Sequence, residues 1–165
     1  MIWEVRSTRM SLRRVGVFIA TCAHVGYAPV APGTWGSALG LVIYYAVRRQ
    51  ASIPIELGVI AVVFIIGLWA ATEAEHHFGG IDPGPVVIDE VIGMLITLAL
   101  HPVNVAGAIV GFLIFRVLDV VKPWPARRLE LLPGGFGVVL DDAMAGVYGN
   151  LMLWGLIRLL PAWFT

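Results

Sequence analysis

Two acidic pairs sit in the most apolar part of this chain, and each opens a hydrophobic segment. Val86-Val87-Ile88-Asp89-Glu90 is echoed downstream by Val138-Val139-Leu140-Asp141-Asp142, and Glu73, Glu75, Asp82 and Asp119 accompany them. A carboxylate next to an apolar segment is costly to desolvate unless a partner compensates its charge. Between Arg49 and Arg116 there is no Lys or Arg, so the sequence around the first pair supplies no cation. A divalent metal ion compensates several like charges at once, and magnesium in particular prefers oxygen ligands. A carboxylate-held metal site is therefore the leading expectation. Helix capping by Asp and Glu is the alternative for a single pair; the near-repetition of the pair favours ligation.

The surroundings of these acids set the class. Charged residues make up 13% of the 165, against ~25% in ordinary soluble domains, and 59% are hydrophobic. Mean hydropathy is +0.87. This reads as an integral membrane protein. Zero net charge gives no electrostatic footprint for nucleic acid. Cys22 is the sole cysteine, which excludes an intrachain disulfide and a cysteine-based metal site. Ala28 stands where a cysteine phosphatase would carry its Arg, so Cys22 reads as a small buried hydrophobe. Arg13-Arg14 ahead of the apolar run from Val15 imitates an export signal, but Thr21 precedes the cysteine and the segment reads as a retained first helix.

Proline and glycine divide the rest. Residues 1–14 read as a basic N-terminal arm and 15–165 as a single helical membrane domain. Apolar segments are expected at Val15–Tyr27, Trp35–Val47, Leu57–Thr72, Val91–Leu100, Val105–Val121 and Ala143–Leu160. Most fall short of the ~20 residues that cross a bilayer. The expected fold is all-α, a compact membrane protein of about five to six short apolar helices with re-entrant or interfacial segments. Glu73–Asp89 and Arg127–Leu140 are expected to be loops. If the two acidic pairs share a site, 91–100 and 105–121 must form a hairpin that leaves it and returns. Most positive charge then lies on the site's side, which should be cytoplasmic.

Three further constellations bear on chemistry. Arg116, Asp119 and Lys122 follow one another at three-residue spacing and share a helix face. Arg offers a fork to phosphate oxygens and Lys a point charge; an interfacial salt bridge is the plainer reading. Pro32-Gly33-Thr34-Trp35-Gly36-Ser37 is a glycine-rich turn entering a helix, where backbone N–H groups cradle phosphate. Gly134-Gly135-Phe136-Gly137 is a second flexible stretch beside Asp141. A small transporter or channel with intramembrane carboxylates is the rival reading.

At these residues the chain resembles the phosphatidylglycerophosphatase A family of bacterial lipid phosphatases. The matching motifs are Pro29-x-Ala31-Pro32-Gly33-Thr34-x-Gly36-Ser37, Ala74-Glu75-x-x-x-Gly79-x-x-Asp82-Pro83 and Val87-Ile88-Asp89-Glu90-x-x-Gly93. They continue with Phe115-Arg116-x-x-Asp119-x-x-Lys122-Pro123-x-Pro125 and Pro133-Gly134-Gly135-x-Gly137-Val138-x-x-Asp141-Asp142-x-x-Ala145-Gly146. The resemblance implies a magnesium-dependent hydrolase of the bacterial inner membrane, its site facing the cytoplasm. It would convert the phospholipid phosphatidylglycerophosphate to phosphatidylglycerol and inorganic phosphate. On that reading Asp89, Glu90, Asp141 and Asp142 hold Mg2+, and Gly33, Thr34, Arg116 and Lys122 bind substrate. Glu75 or Asp82 orients water, or Asp119 acts as nucleophile.

Overall fold

Helix ends in this chain follow its caps and breakers. Asn104 accepts a hydrogen bond from Gly107 N at 3.0 Å and so starts one helix, which stops where Lys122 turns left-handed (φ 47°) just before Pro123. The computed structural model describes residues 2–50 and 52–164. Among them are eight α-helices, a 3-10 turn at Val25–Tyr27 and no strand. The helices are α1 (Ile2–Ala20), α2 (Pro32–Arg48), α3 (Ile53–Phe78), α4 (Ile88–Leu98), α5 (Val105–Val121), α6 (Ala126–Leu129), α7 (Gly135–Leu159) and α8 (Pro161–Phe164).

The all-α expectation holds, with corrections in detail. The count exceeds five to six because α6 and α8, of four residues each, are too short to show as apolar runs. Residues 2–14 continue into α1 as one helix. The acidic loop expected from Glu73 begins only after Phe78, since α3 extends through Glu73, Glu75, His76 and His77 until Gly79 ends it at φ 76°. The loop expected over 127–140 is largely helical, because α7 begins at Gly135. There Gly135 N donates to Thr72 Oγ1 at 2.9 Å, and a Cβ would run into the Leu68 carbonyl. A glycine that reads as flexible in sequence is a close-packing residue in the fold.

The core is organised around α4, whose Val91, Ile92, Met94, Leu95 and Leu98 are all buried. α2, α3, α5 and α7 enclose it, with α7 and α2 making the largest contacts. The small residues spaced along α2 and α7 serve this packing: Gly40 lies against Met94 and Gly146 against Gly93. The α4–α5 pair is the expected hairpin, leaving the acidic end and returning to it. Gly93 is the tightest point. A Cβ there would overlap the fully buried Phe115 ring and stand 2.8 Å from the Asp142 carbonyl. Gly93→Ala is expected to cost about 1–3 kcal/mol by overpacking, seen as a melting temperature lowered by about 2–4 °C per kcal/mol. An unaltered melting curve would show that Phe115 can move aside.

The end of α4 away from the acids is closed by polar groups. Asn150 donates to the carbonyls of Ile96, Thr97 and Ala99 at 3.0, 3.2 and 2.8 Å, which satisfies the end of the helix. Buried Glu56 accepts from Leu100 N at 3.0 Å and pairs with Arg48 at 2.9 Å. The Tyr44 hydroxyl donates to the His101 carbonyl and accepts from Val103 N. The outer faces are apolar: Val62 and Ile65 on α3, Leu113, Val117 and Val120 on α5, and Leu151 and Trp154 on α7 are exposed. Among the described residues, Ile53–Phe78 alone is long and apolar enough to cross a membrane.

Candidate active site

Val87 N donates to the Ala20 carbonyl at 2.9 Å and so ties the start of α4 to the end of α1. Asp89 and Glu90 therefore occupy the first turn of α4, where the helix dipole favours negative charge. The close crossing at Gly93 and Gly146 brings α7 alongside, and with it Asp142. Asp89, Glu90 and Asp142 each offer an oxygen within 4.8 Å of the others. Asp89 and Asp142 are only 6% and 4% exposed. Asp89 Oδ1, Glu90 Oε2 and Asp142 Oδ2 are buried without a hydrogen-bond partner. Buried polar atoms are nearly always satisfied, so this grouping is what a hard cation would complete. An all-oxygen donor set suits magnesium, calcium or manganese, not zinc. The cluster is compatible with a divalent metal.

Asp141 lies next in sequence but outside that group. Its Oδ2 accepts from Lys122 Nζ at 2.7 Å, while Oδ1 is buried and unpartnered. Lys122 also meets Glu130 at 3.2 Å. Burial works against the Lys122 ammonium, but the hydrogen bonds and charges of Asp141 and Glu130 outweigh it and hold the amine above its ordinary value. Lys122 is thus committed to two carboxylates. Sequence reasoning missed Glu130; its only signal was a lone acid following Arg127-Arg128.

Arg116 joins three helices. Its Nη1 meets Asp119 Oδ2 at 2.6 Å and Glu90 Oε1 at 4.0 Å, and donates to Ser37 Oγ at 3.4 Å. Ser37 in turn donates to the Gly33 carbonyl at 2.9 Å. A Cβ on Gly33 would collide with Glu90 Oε1 and lie 3.1 Å from Arg116 Nη1. The glycine at the head of α2 thereby lets the α2 backbone approach the Glu90 carboxylate and the Arg116 guanidinium closely. Thr34 follows in the same turn, half-buried. Glu75, near the end of α3, accepts from Asp82 N at 3.4 Å, and exposed Asp82 sits in the following loop within electrostatic reach of Lys122 and Asp119. Cys22 takes no part in this: burial, then the Glu90 charge, push its thiol up to about 12.

The level of the site along the molecule is also fixed. Gly67 packs on Ile88 and Ile92, and Gly135 on Leu68 and Thr72. The acidic cluster thus meets α3 near the last apolar turns of that helix, just short of Glu73 and Glu75.

The site-bearing segment can be compared with known proteins. The family model for phosphatidylglycerophosphatase A matches residues 18–157. The chain belongs to that family. Every site residue described above falls inside the matched range. A phosphatidylglycerophosphatase A of Escherichia coli K12 is 34% identical over 153 residues, covering 87% of this chain and 84% of that protein. A phosphatidylglycerophosphatase A of Haemophilus influenzae is 32% identical over 128 residues, covering 76% and 78%. A protein of Bacteroides thetaiotaomicron described as a putative phosphatidylinositol-3-phosphatase is 36% identical over 144 residues, covering 83% and 90%. No solved structure gives a significant match. Membership of the phosphatidylglycerophosphatase A family decides between the two readings of the sequence, in favour of a phosphatase and against a transporter.

Proposed function

We propose that this chain is a magnesium-dependent phosphatase that hydrolyses phosphatidylglycerophosphate to phosphatidylglycerol and inorganic phosphate at the cytoplasmic face of a bacterial inner membrane. The observation that carries the metal assignment is the set of orphaned oxygens on Asp89, Glu90 and Asp142, within a chain of this family. These three hold the ion, and Asp141, fixed by Lys122, borders them as a fourth acid. When bound, Mg2+ neutralises phosphoryl charge and makes a nearby water more acidic.

The remaining roles belong to the protein. Arg116 donates to the phosphoryl oxygens, and Asp119 holds its guanidinium in place. Asp119 commits one oxygen to that pair at 2.6 Å, which supports a positioning role for it and favours attack by water over an acyl-phosphate. Glu75 and Asp82 stand at the outer edge, where either carboxylate can orient that water. The Gly33–Thr34 turn admits the phosphate beside Arg116. Lys122 adds positive charge to the wall while keeping Asp141 aligned.

Membrane placement rests on α3. Its stretch from Ile53 to Thr72 is apolar apart from the buried Glu56, and most of it is exposed or half-buried; at 1.5 Å per residue it matches a hydrocarbon layer of about 30 Å. A site level with the end of that stretch meets the headgroup layer, where a lipid phosphomonoester lies. Arg13, beside Glu73 and His76, and Arg127 and Arg128 of the α5–α7 connection lie toward this end and favour the cytoplasmic side.

Phosphate release by the detergent-solubilised protein tests the reading. With phosphatidylglycerophosphate, chelation by EDTA is expected to lower the rate by two or more orders of magnitude, as for loss of a main electrostatic element (~10²–10³), and magnesium to restore it. Undiminished release in EDTA would remove the metal from the mechanism. Phosphatidylinositol 3-phosphate belongs in the same assay because of the Bacteroides relative; faster turnover of that lipid would replace the substrate assignment.

A further inference from the structure

The end of the molecule opposite the carboxylates carries a second polar site. α2 has 17 residues, or about 25 Å at 1.5 Å per residue, and runs from Gly33 at the acidic cluster to Arg48 at this far end. Between the last turn of α2 and the start of α5 lies a cleft of about 570 Å³, lined by Tyr44, Tyr45, Arg48, Arg49 and Asn104 among others. Its charge is unbalanced. Among the described residues no carboxylate lines it, and Glu56 nearby is buried and already divided between Arg48 and Leu100 N. Arg49 is exposed and makes no ion pair among the described residues. The Tyr44 hydroxyl is occupied by His101 and Val103, but the Tyr45 hydroxyl is buried and has no partner. A buried hydroxyl without a partner is rare, and it lines the same cleft as Arg48 and Arg49, a set of donors suited to an anion. The flanks are apolar: Val42, one turn up α2, and Val105 and Ile109 at the start of α5 are exposed.

We propose that this cleft binds the phosphodiester of an anionic phospholipid from the leaflet opposite the active site, with Arg49 and the Tyr45 hydroxyl on its phosphate and the acyl chains along α2 and α5. The inference rests on the membrane reading above and is independent of the carboxylate assignment. Guanidinium groups match phosphate oxygens in shape as well as charge. With no free carboxylate lining the cleft among the described residues, a net-negative headgroup is favoured: a choline or ethanolamine ammonium would find no counter-charge, whereas the ammonium of a serine headgroup is balanced by its own carboxylate.

Native mass spectrometry of the detergent-solubilised protein, titrated with phosphatidylserine, tests this. Phosphatidylserine carries no phosphomonoester and so does not report on the hydrolytic site. The wild type is expected to retain it more tightly than phosphatidylcholine. Arg49→Gln combined with Tyr45→Phe is expected to weaken retention about tenfold or more, the scale of a lost charge-assisted hydrogen bond, while phosphate release is unchanged. Arg116→Ala is expected to leave retention as it is. Equal retention by the double variant, or equal retention of phosphatidylcholine, would overturn the proposal. Arg49-dependent displacement of phosphatidylserine by millimolar inorganic sulfate would assign the cleft to a soluble anion and overturn the lipid assignment. Lost phosphate release with intact Arg49-dependent lipid retention would count against the active-site reading alone.

Discussion

Replacing either Asp89 or Asp142 by Asn is expected to lower phosphate release by about three orders of magnitude and to leave the fold intact. The amide keeps the shape of the carboxylate but removes the charge that a metal needs. Removing one electrostatic element from an active site commonly costs about 10²–10³ in rate, and here the ion itself is weakened. Stability should not fall. Asp89 and Asp142 are almost fully buried and each has an oxygen without a partner, so the neutral amide relieves a desolvation cost. Phosphate release and thermal melting, measured on the same preparations, check both halves. Near-normal turnover in both variants would refute the metal site.

Arg116→Ala is expected to lower kcat/KM by about a hundredfold or more. Arg116 is the cation that faces both the Gly33 turn and Glu90, and among the described residues no other Lys or Arg pairs with Glu90. Lys122 is held by Asp141 and Glu130. Arg116→Lys should recover only part of the loss, because an ammonium cannot reach Asp119, Ser37 and a phosphoryl oxygen in one plane. Steady-state kinetics over a range of substrate decide it; an unchanged kcat/KM in Arg116→Ala would reduce the Arg116–Asp119 pair to a surface contact.

The sequence disclosed the parts of this protein that depend on local chemistry. α5 runs from Val105 to Val121 as expected, because an Asn cap and a following proline bound a clean apolar run. The end of α3 was hidden, because Glu73, Glu75, His76 and His77 are polar yet good enough helix formers to continue a helix already nucleated by the apolar residues before them. The start of α7 was hidden for a different reason. Gly134-Gly135 carries a loop composition, and only contact with Leu68 and Thr72 explains why it is helical.

The same division runs through the site. Pairing of the two acidic repeats was foreseeable from their likeness, and Asp89, Glu90 and Asp142 do converge. That Asp141 stands apart was not foreseeable. Consecutive residues on a helix point about 100° away from one another, so one acid of the pair had to face elsewhere. Which one it is depends on how α7 is rotated against α4 and α5. Lys122 reads in sequence as a phosphate clamp in series with Arg116; that its ammonium also engages Asp141 and Glu130 depends on how α7 and the segment after α6 pack against the end of α5.

On the proposed mechanism, the two helices of the metal site leave the ribosome far apart in time. Asp89 emerges with α4, while Asp142 must await two further helices. On that mechanism a nascent protein that has folded only its first half owns an incomplete ligand set and would not hydrolyse its substrate. Onset of turnover is therefore expected to coincide with docking of the last long helix, and copies that lack it to stay silent.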